Sequence, residues 1–361
     1  MHDYRRKIAL ILLLFISQVF AQNRRGTIIY VPKKINILTG QKSKDIIAVP
    51  KKVNLFKPQP IQRIVFGKVE AKKEVLAPAQ LQNVSAANLN KVPQLAETPT
   101  FCGIKVPMEI AEVAYRLRSE LARYIGAKHS VAYYLKRSQR YKPEIEATLT
   151  RHGLPKELFY LAVAESGLAN LTSPKGAKGF WQFMPETAKS YNLEVSETVD
   201  ERLHPQKSAE AACSYLSFLY KKFGDWTLAA AAYNMGEGGL GGACKNQGTN
   251  SYFRLRLNPE TAQYVYRIIA LKYVLENPSF FGIKETPTEK YAPIPFDYQL
   301  VSENIDNLAT FAADCDTDFA TLKAMNPWLI SDKLQVLEGK TYHIRLPIQG
   351  TVSAEELIER K

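Results

Sequence analysis

The chain has 361 residues, of which 46% are hydrophobic and 23% are charged. This composition excludes a wholly disordered protein and leaves room for two or three domains. The formal net charge is +13, but residues 1–100 hold 17 basic and 5 acidic residues, whereas the remainder holds 31 and 30. The basic character therefore belongs to the leading segment, and the domains that follow are expected to be nearly neutral.

Residues 1–21 are predicted to be a secretory signal peptide. A basic start is followed by a short apolar run over residues 8–16, and Val19 and Ala21 fit a small-residue cleavage site. An uncleaved membrane anchor is the alternative, although the apolar run is shorter than the ~20 residues that a spanning helix needs. We therefore expect export to the periplasm, free or associated with the outer membrane or cell wall, and no nucleic-acid partner.

Residues 22–100 are predicted to form a basic, disordered tether. The stretch "IIYVPKKINIL", which begins at Ile28, is nearly repeated as "IIAVPKKVNLF" from Ile46. Short strands or a docking motif are the alternative interpretation of this near-repeat. An anionic envelope surface is the expected partner of such a segment outside the cytoplasm.

Four cysteines are present, and an even number in an exported protein is compatible with disulfide bonds. A Cys213–Cys244 bond would close a local loop and would leave Cys102 with Cys315. Four buried free thiols are an equally good interpretation, and the spacings do not predict a metal site.

Residues 101–285 show a helical pattern, and the fold class is therefore predicted to be mainly α. Proline and glycine mark the helix ends. We expect separate helices over about 130–140 and from Pro143. Further helices are expected to start at Pro107, Pro155, Pro185, Pro205 and Pro259.

The end of the chain changes character. A Pro-rich linker is predicted over residues 286–296, and a small β-α-α-β module over residues 297–350. Residues 351–361 are predicted to be a polar tail.

One carboxylate stands out in the stretch "ELFYLAVAESGLAN". Glu165 shares a helical face with Leu158, Leu161 and Leu168, which should point toward the core. Burial of an ionised carboxylate without a partner is costly and raises the pKa of the acid. The stretch therefore predicts either a hidden partner for Glu165 or a functional acid.

Two glycine-rich loops with aromatic residues follow Glu165, "SPKGAKGFWQFMP" and "AAAYNMGEGGLGG". Together with Glu165-Ser166 and a tyrosine on a later helix, they form an ordered set of motifs over about residues 105–283. This set resembles the lytic transglycosylase family, which has a lysozyme-like catalytic domain. The C-terminal unit resembles a lysin-motif (LysM) module around "LKAMNPWL", but its opening, "NIDNLAT", departs from the usual pattern.

The resemblance implies that peptidoglycan glycan strands are the substrate and that Glu165 is the catalytic residue. The implied substrate-binding residues are Ser166, Gly179, Phe180, Gln182, Met184, Tyr233, Asn234 and Tyr264. Of these, Tyr233 and Tyr264 are expected to hydrogen-bond near Glu165 and to tune it. No cofactor and no metal is implied, and a monomer is expected.

Most glycosidases need two carboxylates, whereas the sequence offers only one convincing candidate. Asp200, Glu201 and Glu237 are better explained as loop charges or ion-pair partners, and His204 as a structural residue. In the family, the substrate's own 6-hydroxyl attacks C1 and gives a 1,6-anhydro product, so one residue acts as acid and then as base. The alternatives are a muramidase like goose-type lysozyme and a non-catalytic wall-binding scaffold.

Overall fold

The computed structural model describes residues 86–95, 97–283 and 292–348. The predicted signal peptide, the tether up to residue 85 and the polar tail 351–361 lie outside these residues. The same holds for most of the predicted linker, up to residue 291.

Most of the described chain is helical. The helices are α1 (Ala86–Leu89), α2 (Ala111–Gly126), α3 (Lys128–Arg151), α4 (Phe159–Ser166), α5 (Pro185–Ser190), α6 (Pro205–Phe223), α7 (Trp226–Met235), α8 (Glu237–Gln247), α9 (Pro259–Glu276), α10 (Leu308–Asp314) and α11 (Phe319–Met325). The strands are β1 (Thr100–Phe101), β2 (Ile104–Lys105), β3 (Phe296–Val301) and β4 (Tyr342–Pro347). The predicted mainly α fold class is confirmed.

Several helix boundaries follow the predicted capping signals. Pro185, Pro205 and Pro259 each occupy the first turn of their helix, where a missing N–H costs nothing. The Asp225 side chain caps α7 by accepting hydrogen bonds from two backbone N–H groups, and Gly224 ends α6 in the left-handed conformation.

The predicted break before Pro143 is wrong. Helix α3 runs through Pro143 without interruption from Lys128 to Arg151. A proline inside a helix removes one hydrogen bond and costs about 3 kcal/mol. Burial of Val131, Ile145 and Leu149 on this helix offsets that cost, so packing outweighs the local preference.

Three other boundaries differ from the expectation. The helix expected from Pro155 begins at Phe159, because the chain first forms a 3₁₀ turn over Lys156–Leu158. The helix expected from Pro107 begins at Ala111, because Pro107 forms a turn in which its carbonyl accepts the Ile110 N–H. The glycine-rich "GEGGLGG" stretch is not a loop but the start of α8. Leu240 and Cys244, one turn apart, are buried there and anchor a helix that glycine content alone disfavours.

The helical domain has one continuous core, and it starts earlier than the predicted boundary at residue 101. Val92 is buried in this core, and α1 packs on α2. Leu158, Leu161 and Leu168 are all fully buried, as their spacing predicted. Leu168 lies beyond the end of α4, in a left-handed backbone conformation.

The C-terminal module has the predicted β-α-α-β order. Strands β3 and β4 pair antiparallel, with Phe296 opposite Pro347 and Val301 opposite Tyr342. Helices α10 and α11 pack against this two-stranded sheet around buried Leu308, Leu322 and Ile344.

The module is docked directly on the helical domain. Val199, from the loop before α6, is fully buried in the core of the module. The Ile330 N–H donates to the Thr198 carbonyl at 3.0 Å, and the Trp328 ring stacks on His204 with centroids 5.5 Å apart. The two parts therefore share an apolar and hydrogen-bonded interface.

None of the helices in the described ranges is long and apolar enough to cross a membrane.

Candidate active site

Glu165 lies in the last turn of α4, and its side chain is half-buried. Gly167 ends the helix with a φ of 60°, so the chain turns away sharply just after the acid. The half-buried carboxylate therefore lies at the C-terminal end of a helix whose other side chains are mostly buried.

The carboxylate has a partner that is distant in sequence. Tyr264 on α9 donates a hydrogen bond from its hydroxyl to Oε1 of Glu165. Burial raises the pKa of Glu165 from 4.5 to about 7, although this hydrogen bond and the charge of Arg267 lower it. A carboxyl group with that pKa is partly protonated near neutral pH, so it can donate and accept a proton.

Tyr233 does not hydrogen-bond to Glu165. Its hydroxyl donates to the Trp181 carbonyl at 2.7 Å and so ties α7 to the loop before α5. Burial raises the pKa of Tyr233 well above its usual value, and the charge of Glu165 raises it further. The expected hydrogen bond to Glu165 is thus present for Tyr264 but not for Tyr233.

The loop before α5 depends on a glycine. Gly179 has a φ of 79°, and a Cβ atom there would overlap the carbonyl oxygen of Arg202. The Gly179 carbonyl accepts hydrogen bonds from the backbone N–H of Gln182, at 3.2 Å, and from its Nε2, at 2.9 Å. Gly179 therefore sets the geometry of this loop.

Gln182 is held by its amide nitrogen. Nε2 also donates to the Leu171 carbonyl, at 3.2 Å, and the backbone has a φ of 48°. Within the described ranges, Oε1 of Gln182 has no donor partner, so it can accept a hydrogen bond from a sugar hydroxyl or an N-acetyl N–H.

Three of the predicted substrate-binding residues occupy different environments. Ser166 is buried, and its hydroxyl donates to the Phe180 carbonyl at 2.9 Å. Phe180 is also buried, with its ring edge-on to Tyr141 at 4.7 Å. Met184, in contrast, is 43% exposed. Met184 is therefore accessible to a ligand, whereas the side chains of Ser166 and Phe180 are buried.

Asn234 connects α7 to α9. Its Oδ1 accepts a hydrogen bond from the Thr261 hydroxyl at 2.7 Å, and its Nδ2 donates weakly to Glu260 at 3.4 Å. Glu260 is exposed, and its charge raises the pKa of Glu165. Sequence reasoning did not single out Glu260. Glu260 lies one turn before Tyr264 on the same helical face, and this spacing could have identified it.

The other candidate carboxylates and His204 have structural partners. Asp200 pairs with Lys178 and Arg202. Glu201 pairs with Lys207 and Lys340. Glu237 lies in the first turn of α8. Nδ1 of His204 accepts the Lys207 N–H, and burial lowers the pKa of this imidazole, so it stays neutral.

The four cysteines are free thiols. Neither Cys213–Cys244 nor Cys102–Cys315 is bonded, which favours the free-thiol interpretation. Burial raises the pKa of Cys213 to about 12, so this thiol is not a nucleophile. Across the ranges that the structure describes, no cluster of His, Cys, Asp and Glu is suited to hold a metal ion.

Two family models match the chain. The transglycosylase SLT domain matches residues 142–255, which include Glu165, Gln182 and Tyr233. The soluble lytic transglycosylase C-terminal LysM-like domain matches residues 297–350. The expected resemblance to lytic transglycosylases and to a LysM module is confirmed.

Similar proteins cover parts of the chain. Membrane-bound lytic murein transglycosylase D of Escherichia coli (strain K12) is 32% identical over 53% of this chain and 43% of its own length, so the chain spans less than half of that relative. A putative tributyltin chloride resistance protein of Alteromonas sp. (strain M-1) is 30% identical over 46% of this chain and 84% of its own length.

A crystal structure of the 70 kDa soluble lytic transglycosylase of Escherichia coli also aligns with the chain. It covers 48% of this chain and 31% of its own, with 19% identity and a TM-score of 0.35. A score of that size is too low to bear on the fold.

Proposed function

We propose a peptidoglycan-cleaving activity for this chain, which belongs to the family of lytic transglycosylases with an SLT domain. The proposed reaction breaks the MurNAc-(1→4)-GlcNAc bond of a glycan strand without water and leaves a 1,6-anhydro-MurNAc end. The observation that carries the proposal is the half-buried Glu165, hydrogen-bonded by Tyr264 and with a pKa raised to about 7.

In the first step, protonated Glu165 donates its proton to the glycosidic oxygen as the C1–O bond breaks. A carboxyl group with a pKa near neutral is a suitable general acid for this step. The departing GlcNAc hydroxyl takes the proton, and Glu165 becomes a carboxylate. Tyr264 then stabilises that carboxylate by its hydrogen bond.

In the second step, the 6-hydroxyl of the same MurNAc residue attacks C1 and transfers its proton to Glu165. One C–O bond forms, the acid regains its proton, and no water is consumed. Because the nucleophile belongs to the substrate, it gains from proximity, which is worth up to about 7–11 kcal/mol in well-oriented systems. Gln182 and Asn234 are the side chains proposed to orient the N-acetyl groups and ring hydroxyls.

A hydrolase is the second candidate, and Glu260 is the observation that favours it. This exposed carboxylate raises the pKa of Glu165 through its charge, and it is the group that would activate a water molecule in a hydrolase. A hydrolase and a transglycosylase give fragments that differ in mass by one water.

The sequence supports a proposal about the residues that the structure does not describe. We propose that the chain is exported to the periplasm and that its basic leading segment contacts an anionic envelope surface. Such an association should weaken with added salt.

The proposal is tested by Glu165→Gln on isolated peptidoglycan sacculi. This variant keeps the shape of the side chain but cannot transfer a proton, so release of soluble fragments should fall by at least about 10²-fold. Glu260→Gln separates the two candidates, because it should retain most of the activity in a transglycosylase and lose it if Glu260 activates a water molecule. Unchanged release by Glu165→Gln would refute the assignment, and no release by the wild type would favour a non-catalytic scaffold.

A further inference from the structure

One segment of the helical domain contacts both the C-terminal module and the loop that carries Gln182. We call residues 194–204 the bridging segment and residues 176–183 the active-site loop. The bridging segment lies before α6, and the active-site loop lies before α5. Because the same segment contacts both parts, it is able to link the module to the candidate site.

The module holds the bridging segment by backbone hydrogen bonds and by apolar packing. The Asp200 N–H donates to the Trp328 carbonyl at 2.9 Å, and the Ile330 N–H donates to the Thr198 carbonyl at 3.0 Å. Val199 lies between these two contacts, and its side chain is fully buried in the core of the module. The bridging segment therefore contributes to the module's own core.

Charged side chains add to this contact. Lys340 of the module forms ion pairs with Glu194 and Glu201 of the bridging segment. The Tyr342 hydroxyl donates a hydrogen bond to Oε2 of Glu194 at 2.7 Å. The side chains of Glu194 and Glu201 are only 9% and 3% exposed. A carboxylate that is removed from water depends on its partners, so these contacts fix the segment to the module.

On its other side, the bridging segment holds the active-site loop through Arg202, which is 4% exposed. Nη1 of Arg202 donates to the Gly176 carbonyl at 2.9 Å and to the Phe183 carbonyl at 3.2 Å, at the two ends of the loop. Its Nε and Nη2 donate to the two carboxylate oxygens of Asp200, at 2.8 and 2.7 Å. The Asp200 carboxylate thus orients the guanidinium, while the Asp200 backbone N–H is bonded to the module.

The active-site loop needs this support because Gln182 has a rare backbone conformation. Its φ is 48°, a left-handed value that is unfavourable for a residue other than glycine. Such a conformation persists only where the surrounding contacts fix it. Lys178 and Phe183 supply some of these contacts through two backbone hydrogen bonds of 3.1 Å, and Arg202 supplies others. Loss of the Arg202 contacts should therefore let the backbone of Gln182 relax and turn its Oε1 away from a substrate.

We propose that Arg202 is a positioning residue for Gln182 and that the C-terminal module supports the candidate active site through the bridging segment. The module fixes Val199 and Asp200, Asp200 orients Arg202, and Arg202 fixes both ends of the active-site loop. This role does not require the module to bind glycan, and it is compatible with the unusual opening "NIDNLAT" of the module. The role of Gln182 toward the substrate rests on the proposed function, whereas the link between module and loop rests on the contacts alone.

Arg202→Lys in the full chain tests the positioning role. Lysine keeps the charge beside Asp200, but it cannot pair with both carboxylate oxygens and also reach the Gly176 and Phe183 carbonyls. With soluble glycan strands of defined length, kcat should fall at least tenfold while KM changes less than threefold, because the loop orients the reacting sugar. A kcat within twofold of the wild type would overturn the assignment of Arg202.

Arg345→Lys is the matched control. Arg345 is 6% exposed and lies at the same interface, but its carboxylate partner is Glu144 on α3, outside the bridging segment. This variant should keep kcat within twofold of the wild type, even where it lowers the melting temperature. An equal fall in kcat for both lysine variants would show a general effect of loosening the interface and would also overturn the assignment.

Lys340→Met tests the link from the module. The substitution removes the ion pairs to Glu194 and Glu201 but retains most of the apolar stem of the side chain. The side-chain amide resonances of Gln182, assigned by their absence in Gln182→Ala, should shift or broaden in this variant. Lys333→Met removes an exposed charge from the same module and should leave these resonances in place. Unchanged Gln182 resonances in Lys340→Met would refute the link.

The resonance experiment needs no substrate, so it separates this proposal from the proposed function. If the wild type releases anhydro fragments from sacculi and Lys340→Met leaves the Gln182 resonances unchanged, only the support by the module fails. If the resonances change and the wild type releases no fragments, the link stands and the proposed function fails.

Discussion

The hydroxyl of Tyr264 donates a hydrogen bond to the carboxylate of Glu165 across 99 residues of sequence. This contact joins α4 to α9 at the open end of the core. It favours the charged form of Glu165, while burial favours the neutral form. The balance of the two leaves the acid with a pKa of about 7, which suits a group that must both donate and accept a proton.

Tyr264→Phe tests that balance. Loss of the hydrogen bond should raise the pKa of Glu165 above about 7, so the basic limb of the pH–activity profile should move to higher pH. Tyr264 also stabilises the carboxylate that forms when Glu165 gives up its proton. A hydrogen bond to a charged group is worth about 1.5–3 kcal/mol, so its loss should still lower cleavage near pH 7 about 10- to 100-fold. The measurement is the pH dependence of fragment release from sacculi.

Tyr266→Phe is the control for this experiment. Tyr266 lies two residues further along α9 and is also buried, but Glu165 is not among the charges that act on it. Its substitution should leave the pH profile in place. A Tyr264→Phe profile that coincides with the wild type would show that the hydrogen bond does not set the pKa of Glu165.

The raised pKa of Glu165 also predicts a pH-dependent stability. Between its unfolded pKa of 4.5 and its folded pKa of about 7, the folded state binds more protons than the unfolded state. The free energy of unfolding should therefore decrease as pH rises through this window. Glu165→Gln removes this decrease and should be more stable than the wild type at pH 8, by about 1–3 kcal/mol.

Urea unfolding at pH 5 and pH 8 measures the effect. The difference between Glu165→Gln and the wild type should be large at pH 8 and small at pH 5. Equal stability of the two proteins at pH 8 would mean that Glu165 does not have a raised pKa.

Gly179→Ala tests the loop that carries Gln182. The added methyl group would overlap the Arg202 carbonyl, which is backbone and cannot easily move, and the φ of 79° adds strain. We expect a loss of about 2–4 kcal/mol in the free energy of unfolding, together with a loss of activity.

Gly176→Ala is its matched control in the same loop. Gly176 also has a positive φ, of 85°, but a Cβ atom there meets nothing within 4 Å. Its substitution should cost only the backbone strain, about 1–2 kcal/mol. Equal losses for the two alanine variants would contradict the close approach to Arg202.

Local signals predicted much of the fold. Pro185, Pro205 and Pro259 start their helices because a proline at that position loses no hydrogen bond. The predictions of a helix break at Pro143 and of a loop at "GEGGLGG" were wrong, because tertiary burial outweighed local propensity in both places. Sequence periodicity carries no information about which distant surface a helix will meet.

The candidate site shows the same limit. The leucine spacing around Glu165 predicted its burial, but only the fold shows that Tyr264 bonds to it while Tyr233 bonds to the Trp181 carbonyl. Ser166 and Phe180 belong to the motifs, but their side chains are buried. Motif membership identifies residues that shape a site without separating those that contact a ligand from those that support it.

The central claim is that Glu165 acts alone and that the substrate supplies the nucleophile. Mass analysis of the fragments that the wild-type protein releases from sacculi tests it most directly. The account predicts muropeptides that end in 1,6-anhydro-MurNAc and are lighter by one water than the hydrolysed forms. Fragments that carry the additional water and a reducing MurNAc end would contradict it and would assign the chain to hydrolysis.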